Sequence, residues 1–136
     1  MKIAVRKADR LWSEIIKARD GYRCRRCGRS HRGRGLQAAH IFTRARRSTR
    51  WELLNGVCLC TGCHMWAHRH PLEFHEWVKG VIGEEAYERL RLLSNLSRRV
   101  DIGMTVAMLT KLLEVVRNDK GHNAGDVRLE GDSEIL

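Results

Sequence analysis

Four polar residues in the first half of the chain have types and spacing that suit cleavage of a phosphodiester bond. His40 follows a short apolar run, Asn55 comes fifteen residues later, and His64 and His68 are four residues apart. Residues four apart on a helix share one face, so these two imidazoles can bind one divalent cation. A neutral imidazole such as that of His40 can act as a general base near pH 7. The pattern therefore indicates metal-assisted hydrolysis with His40 as the base and a cation at the leaving oxygen.

Four of the five cysteines form two CxxC pairs, Cys24–Cys27 and Cys60–Cys63. Two such pairs supply the four thiolates of a tetrahedral structural zinc site. The alternative is a set of reduced thiols without metal, which two well-formed pairs disfavour. Cys58 stands alone and is interpreted as a small buried hydrophobic residue.

Positive charge is concentrated at the start of the chain. Residues 1–50 contain 16 Lys and Arg, 13 of them arginine, against 3 Asp and Glu, whereas residues 51–136 contain 10 against 13. Because the planar guanidinium suits phosphate, this half predicts a nucleic acid partner, with a merely solvated surface as the alternative. The candidate phosphate contacts are Arg25, Arg26, Arg44, Arg46, Arg47 and Arg50.

The sequence gives no sign of a membrane segment or of secretion. No run of eighteen apolar residues occurs, and the first twenty residues lack the uninterrupted apolar core of a signal peptide. The cysteine pattern also differs from a secreted disulfide framework. We therefore expect an intracellular, cytoplasmic protein with no membrane partner and with thiols free to bind metal.

Apolar spacing and capping residues predict the elements that position these side chains. The predicted helices span residues 8–20, 61–69, 72–82, 84–96 and 101–117. Short strands are expected over 36–42 and 56–60, joined by an arginine-rich loop over 43–54 whose length is typical of functional loops. The prediction is an α+β, mainly helical fold.

The chain is long enough for one domain, predicted over residues 1–118. Its zinc-stapled core is expected over 22–70 and a helical extension over 71–118. Residues 119–136 contain few large apolar side chains and are predicted to be a disordered tail. The apolar stripes of the C-terminal helices fit packing within one chain and a homodimer interface equally well.

The motif resembles the HNH (ββα-metal, His-Me finger) nuclease superfamily in its zinc-binding form. In that form a CxxC pair precedes the first histidine, and N-x4-C-x2-C-H closes the motif, as NGVCLCTGCH does here over Asn55–His64. The offsets of His40 and His68 from Asn55 are similar to those of colicin-type DNase members. The resemblance implies a ββα-metal core acting on DNA, with a catalytic cation, Mg²⁺ or Mn²⁺, beside the structural Zn²⁺.

The resemblance also implies roles for the site residues. His40 would be the base, Asn55 and His64 would belong to the catalytic set, and His64 and His68 would hold the catalytic cation. The superfamily commonly has Asp or His just before the base, but Ala39 stands there. The cation would then rest on the two histidines, with Asn55 as a further candidate ligand, and on water and the DNA phosphate. Asn55 is also expected to fix the hairpin by hydrogen bonding to a backbone carbonyl or to the His40 segment. This departure supports a second interpretation, a non-catalytic zinc-stabilised module that binds nucleic acid.

The sequence after the motif is similar to phage-encoded HNH proteins, including the lambda-type phage recombination nuclease, which acts on branched DNA. That similarity implies a phage-encoded enzyme that nicks DNA or cuts branched DNA. The remaining histidines have no predicted partner and are assigned to the surface: His31, His70 and His75. Three tryptophans are predicted to lie in the core rather than to stack on bases: Trp51, Trp66 and Trp77.

Overall fold

The computed structural model describes residues 1–30 and 34–122. The elements found in these residues are α1 (Lys2–Arg19), β1 (Gln37–His40), α2 (Arg47–Arg50), β2 (Gly56–Leu59), α3 (Thr61–Arg69), α4 (Pro71–Ile82), α5 (Glu84–Ser94) and α6 (Ile102–His122). The predicted α+β, mainly helical class is confirmed. Among the described helices, none is both long and apolar enough to cross a membrane.

The two strands form an antiparallel hairpin at the centre of the molecule. Gln37 pairs with Leu59 and His40 pairs with Gly56, and a further hydrogen bond of 2.9 Å runs from the Ile41 N–H to the Asn55 carbonyl. Helix α1 crosses this hairpin so closely that a Cβ on Gly56 would lie 2.4 Å from the Trp12 ring. The hairpin therefore needs glycine where the helix meets it.

Two clusters of buried side chains lie on either side of the hairpin. One joins the strands to α3, α4 and α5 through residues such as Leu59, Phe74 and Leu90. The other joins α1 to α6 and includes Trp12 and Leu109. Burying each of these large side chains contributes about 1.5–3 kcal/mol, so the long helices hold the hairpin in place from outside.

A buried charge network ties the end of α1 to β2. The side chains of Arg19 and Asp20 form an ion pair with an N–O distance of 2.9 Å, and both residues are buried. Asp20 also accepts a hydrogen bond of 2.8 Å from the Cys58 N–H, while Arg19 donates to the Gly56 carbonyl. Because a buried charge is tolerated only when it is paired and hydrogen-bonded, this network sets one position of α1 relative to the hairpin.

Several element boundaries differ from the prediction. Helix α1 begins at Lys2, and the predicted loop over 43–54 contains α2 and a 3-10 turn at Leu53–Asn55. Helix α6 continues to His122, so its last four residues fall within the predicted tail. Residues 123–136 of that tail, and His31, lie outside the described residues.

Candidate functional site

The four cysteines of the CxxC pairs converge into one cluster. The sulfur atoms of Cys24, Cys27, Cys60 and Cys63 all lie within 4.8 Å of one another, and the Cys27 and Cys60 sulfurs are 3.9 Å apart. A tetrahedral zinc ion with bonds of roughly 2.3 Å needs sulfur atoms roughly 3.8 Å apart. The donor set and its spacing therefore fit a structural zinc ion that staples the first knuckle to the start of α3.

The thiols differ in how easily they ionise. Burial opposes ionisation of Cys24, but hydrogen bonds from the backbone of Cys27, Cys60 and Arg26 outweigh it and lower its pKa to about 7. Burial and the Asp20 carboxylate raise the pKa of Cys58 to about 12. Burial also raises the pKa of Cys63 to about 12, so ionisation does not separate the ligands from Cys58. Cys58 is set apart by its position, because it does not belong to the cluster of four sulfurs.

Two histidines of α3 face each other. The Nε2 atoms of His64 and His68 are 3.1 Å apart, and Nδ1 of His64 contacts Oε1 of Gln37 on β1. Two imidazole nitrogens bound at roughly 2.1 Å to one cation are separated by roughly 3 Å. The Gln37 carbonyl oxygen fixes the Nδ1–H tautomer of His64 and leaves its Nε2 lone pair available. The two rings are hydrogen-bonded to each other in this structure, and their spacing is compatible with two ligands of one cation.

His40 lies at the end of β1, between α1 and the loop that follows the strand. Its ring stacks on Trp12 with ring centroids 4.0 Å apart and an angle of 12° between the planes. Its Nε2 donates to the Arg50 carbonyl at 3.0 Å, which leaves Nδ1 unprotonated in the neutral ring. Burial is the main cause that lowers the pKa of His40 below its ordinary value of 6.5. The imidazole is therefore neutral near pH 7, as a general base requires.

The three histidines line one open cleft. His40, His64 and His68 all line it, together with Ala39 and Arg44. Ala39 is buried and its methyl group offers no ligand atom. Among the described residues, the only cluster of three or more potential ligands is the four-cysteine group. A cation in the cleft would thus have two protein ligands, with its remaining positions left for water and phosphate.

Asn55 lies outside the cleft and is completely buried. Its Oδ1 accepts a hydrogen bond of 2.8 Å from the Phe42 N–H, and its Nδ2 donates at 3.0 Å to the carbonyls of both Phe42 and Thr49. The carboxamide oxygen of Asn55 is thus bound to the Phe42 N–H, and Asn55 does not line the cleft. Its amide closes the loop between the strands and so positions the backbone that follows His40.

The four cysteines and the histidines His40, His64 and His68 fall within one stretch that resembles a known family. Residues 24–74 match the family model HNH_2, described as HNH endonuclease. This segment is HNH-like. No curated protein and no solved structure gave a significant match to the chain.

The HNH match and the cysteine cluster together support an HNH endonuclease-type family. They indicate a nuclease-type or nucleic-acid-binding function, and the family implies DNA as the partner. The four thiolate donors of the cysteine cluster suit a metal ion, and zinc is the metal that such a donor set favours. Helix α1 and most of the helices after α3 lie outside the HNH-like segment. They supply the packing that surrounds it.

The six arginines predicted to contact phosphate have different surroundings. Arg44 is exposed and lines the cleft. Arg50 pairs with Asp9, Arg25 pairs with Asp20, and Arg46 contacts Asn95. The other two lie over indole rings, Arg26 over Trp66 and Arg47 over Trp51.

Arg26 belongs to the surroundings of the thiolates. Its guanidinium lies 3.7 Å from the centre of the Trp66 ring, and its Nη1 is 3.6 Å from the Cys63 sulfur. A guanidinium beside a four-thiolate cluster offsets part of its negative charge.

Of the six arginines, Arg44 has the geometry best suited to a phosphate in the cleft, because it is exposed and lines the cleft.

Sequence reasoning missed three residues that line the cleft. His75, assigned to the surface, is half-buried and hydrogen-bonds through Nδ1 to the Tyr87 hydroxyl at 2.7 Å. Its place next to the buried Phe74 was the available local signal. Asp9 and Trp12 come from α1, and nothing in their own segment indicated a histidine partner. His70 is exposed and pairs with Glu73.

Proposed function

We propose that the chain is a metal-dependent DNA endonuclease of the HNH type. The observation that carries the proposal is that His40, His64 and His68 line the same cleft and belong to a segment that matches an HNH endonuclease family. General base, cation ligands and an exposed arginine then border the same space. These are the parts that phosphodiester hydrolysis requires.

Each residue has a defined part in the proposed reaction. Nδ1 of His40 accepts a proton from the attacking water, because Nε2 already donates to the Arg50 carbonyl. His64 and His68 would hold a divalent cation through their facing Nε2 atoms. That cation, when bound, supplies Lewis-acid charge for the phosphate and the leaving oxygen. Arg44 adds positive charge at the same cleft and binds the DNA backbone.

The catalytic cation is proposed to be Mg²⁺ or Mn²⁺. Two imidazole ligands favour Mn²⁺ in affinity, whereas Mg²⁺ is the more available ion in cells. With Ala39 in place of a third ligand, we expect weak binding that tightens when DNA phosphate completes the coordination. Zinc in the cysteine cluster serves the fold and takes no part in the reaction.

The proposal is tested by cleavage of DNA with purified, zinc-loaded protein. Supercoiled plasmid and nicked, forked and four-way substrates are incubated with Mg²⁺ or Mn²⁺, which also separates nicking from cleavage of branched DNA. We expect His40→Ala to fold and bind DNA normally but to lose cleavage. His70→Ala is the matched control, because it removes an exposed histidine outside the cleft.

A second candidate function is a non-catalytic zinc module that binds nucleic acid. The superfamily that the sequence resembles commonly has a metal ligand at the position of Ala39. The buried methyl group found there favours the non-catalytic function. If the wild-type protein binds these substrates but cuts none with either metal, this second function replaces the first. Cleavage that survives in His40→Ala would instead remove His40 from the mechanism.

A further inference from the structure

The N-terminal helix reaches the cleft although it precedes the HNH-like segment. Asp9, Trp12 and Ser13 of α1 all line the cleft. The Trp12 ring is almost completely buried and lies flat against the His40 imidazole. Its Nε1 donates to the Glu52 carbonyl at 2.9 Å, so the indole itself is held in one orientation. One face of His40 is therefore set by a residue outside the matched segment.

Asp9 acts on His40 through Arg50. Its carboxylate accepts hydrogen bonds from the Arg50 side chain, at 3.0 Å from Nε and at 2.7 Å from Nη2. It also accepts one of 2.9 Å from Nε1 of Trp51. The backbone carbonyl of the same Arg50 accepts from Nε2 of His40. Asp9 thus fixes the residue whose carbonyl selects the tautomer of His40.

We propose that Asp9 and Trp12 are positioning residues of the cleft, which hold His40 with Nε2 protonated and Nδ1 ready to accept a proton. The inference rests on the proposed function for its catalytic meaning. Helix α1 then completes a site that the HNH-like segment leaves unfinished, since that segment supplies the base but not the ring and carboxylate that orient it. The carboxylate of Asp9 holds the guanidinium of Arg50 through two hydrogen bonds, and such a bidentate pair restricts Arg50 to one orientation.

The charged groups around His40 have opposite effects on its pKa. Asp9 of α1 favours its protonated form, whereas Arg50 of α2 and Arg44 of the loop favour the neutral form. His64 and His68 of α3 and His75 of α4 border the same cleft. Removing the Asp9 charge therefore changes both the position of the ring and the pH at which it takes up a proton.

The test compares Asp9→Asn with Glu14→Gln, a control that neutralises a carboxylate on the same helix where it pairs with Lys17 away from the cleft. We expect Asp9→Asn to lower kcat by about ten- to a hundredfold, because small misplacements of reacting groups cost this much, with little change in KM. The acid limb of its pH profile should move to lower pH. Glu14→Gln should match the wild type in kcat, in KM and in the position of the acid limb.

A second pair of variants tests the stacking ring. Trp12→Phe keeps an aromatic face against His40, whereas Trp12→Leu does not. We expect the phenylalanine variant to retain most of the wild-type kcat and the leucine variant to lose it, with thermal unfolding recorded for both. Equal kcat in the two variants, at equal folded fraction, would overturn the role of Trp12.

The spectrum of the His40 ring decides the inference independently of cleavage. Long-range ¹H–¹⁵N spectra of ¹⁵N-histidine protein report the tautomer, with His40 assigned by the loss of its signals in His40→Ala. We expect a single Nε2–H tautomer in the wild type and in Glu14→Gln, and a mixture in Asp9→Asn. The same single tautomer in Asp9→Asn would overturn the inference, whether or not the protein cuts DNA. Absence of cleavage in the wild type would instead count against the proposed function.

Discussion

His64 and His68 face each other across one turn of α3, with their Nε2 atoms 3.1 Å apart. Both rings border the cleft that also contains His40. This spacing suits a shared cation, and Gln37 orients one of the two rings. The properties of this pair are therefore the first to test.

Replacing His68 with alanine should weaken Mn²⁺ binding by about tenfold or more, because losing a ligand costs at least as much as losing a group that supports one. Calorimetric titration of zinc-loaded protein measures the affinity. His70→Ala, two residues further along the chain, should bind Mn²⁺ like the wild type. Equal affinity in all three proteins would contradict a shared cation at this pair.

Removing one sulfur from the cysteine cluster should remove zinc and most of the stability. Structural zinc contributes folding free energy on the order of 10 kcal/mol in small domains, so we expect Cys60→Ser to bind less than one zinc per chain and to unfold at a much lower temperature. Cys58→Ala is the control, since Cys58 is buried but does not belong to the four-cysteine cluster. Zinc content and thermal unfolding distinguish the two. Full zinc occupancy in Cys60→Ser would be incompatible with a four-thiolate site.

Asn55→Ala should destabilise the fold by about 3 kcal/mol or more. The substitution leaves the Phe42 N–H and the carbonyls of Phe42 and Thr49 without their partner in a completely buried position, and each unpaired group costs about 1–3 kcal/mol. Urea unfolding measures the change. Asn118→Ala, on an exposed part of α6, should change the free energy of unfolding by less than about 0.5 kcal/mol. Similar losses in both variants would show that the Asn55 bonds contribute little.

Arg44→Ala should weaken DNA binding and lower the salt dependence of the binding constant by about one in the slope of log K against log salt. Arg44 is exposed in the cleft, whereas Arg89 is exposed on α5, outside the cleft. Arg89→Ala therefore removes the same charge at a different place. Fluorescence anisotropy at several salt concentrations gives both slopes. Identical slopes in the two variants would place the DNA elsewhere on the surface.

Cleavage should fall as the pH drops below the ordinary histidine pKa of 6.5. Burial is the largest cause that lowers the pKa of His40, so the neutral base is still the main form at pH 6.5 and is lost only as the pH falls through the lowered value. The rate should therefore be constant above this region and decrease below it. Single-turnover rates from about pH 5 to about pH 8 measure the limb. A half-maximal rate above pH 6.5 would indicate that another group limits the reaction.

The geometry of the four cysteines and of the two α3 histidines was largely predictable because it depends on local spacing. A CxxC knuckle places two sulfurs together whatever surrounds it, and histidines four apart share a helix face. The cysteine cluster and the facing pair of His64 and His68 follow from those rules. The hairpin followed in the same way from two short apolar runs that bracket a polar loop.

What surrounds these ligands was decided by packing between distant parts of the chain. Asp9 and Arg50 are 41 residues apart in the sequence, yet their ion pair directs the carbonyl that binds His40. From the sequence alone, Trp12 is an ordinary core residue. It stacks on His40 only because α1 packs across the hairpin. By itself the sequence determined which side chains can hold metal and accept a proton. Only the tertiary structure decided which residues orient them, because such contacts depend on the packing of whole helices rather than on any periodicity within a segment.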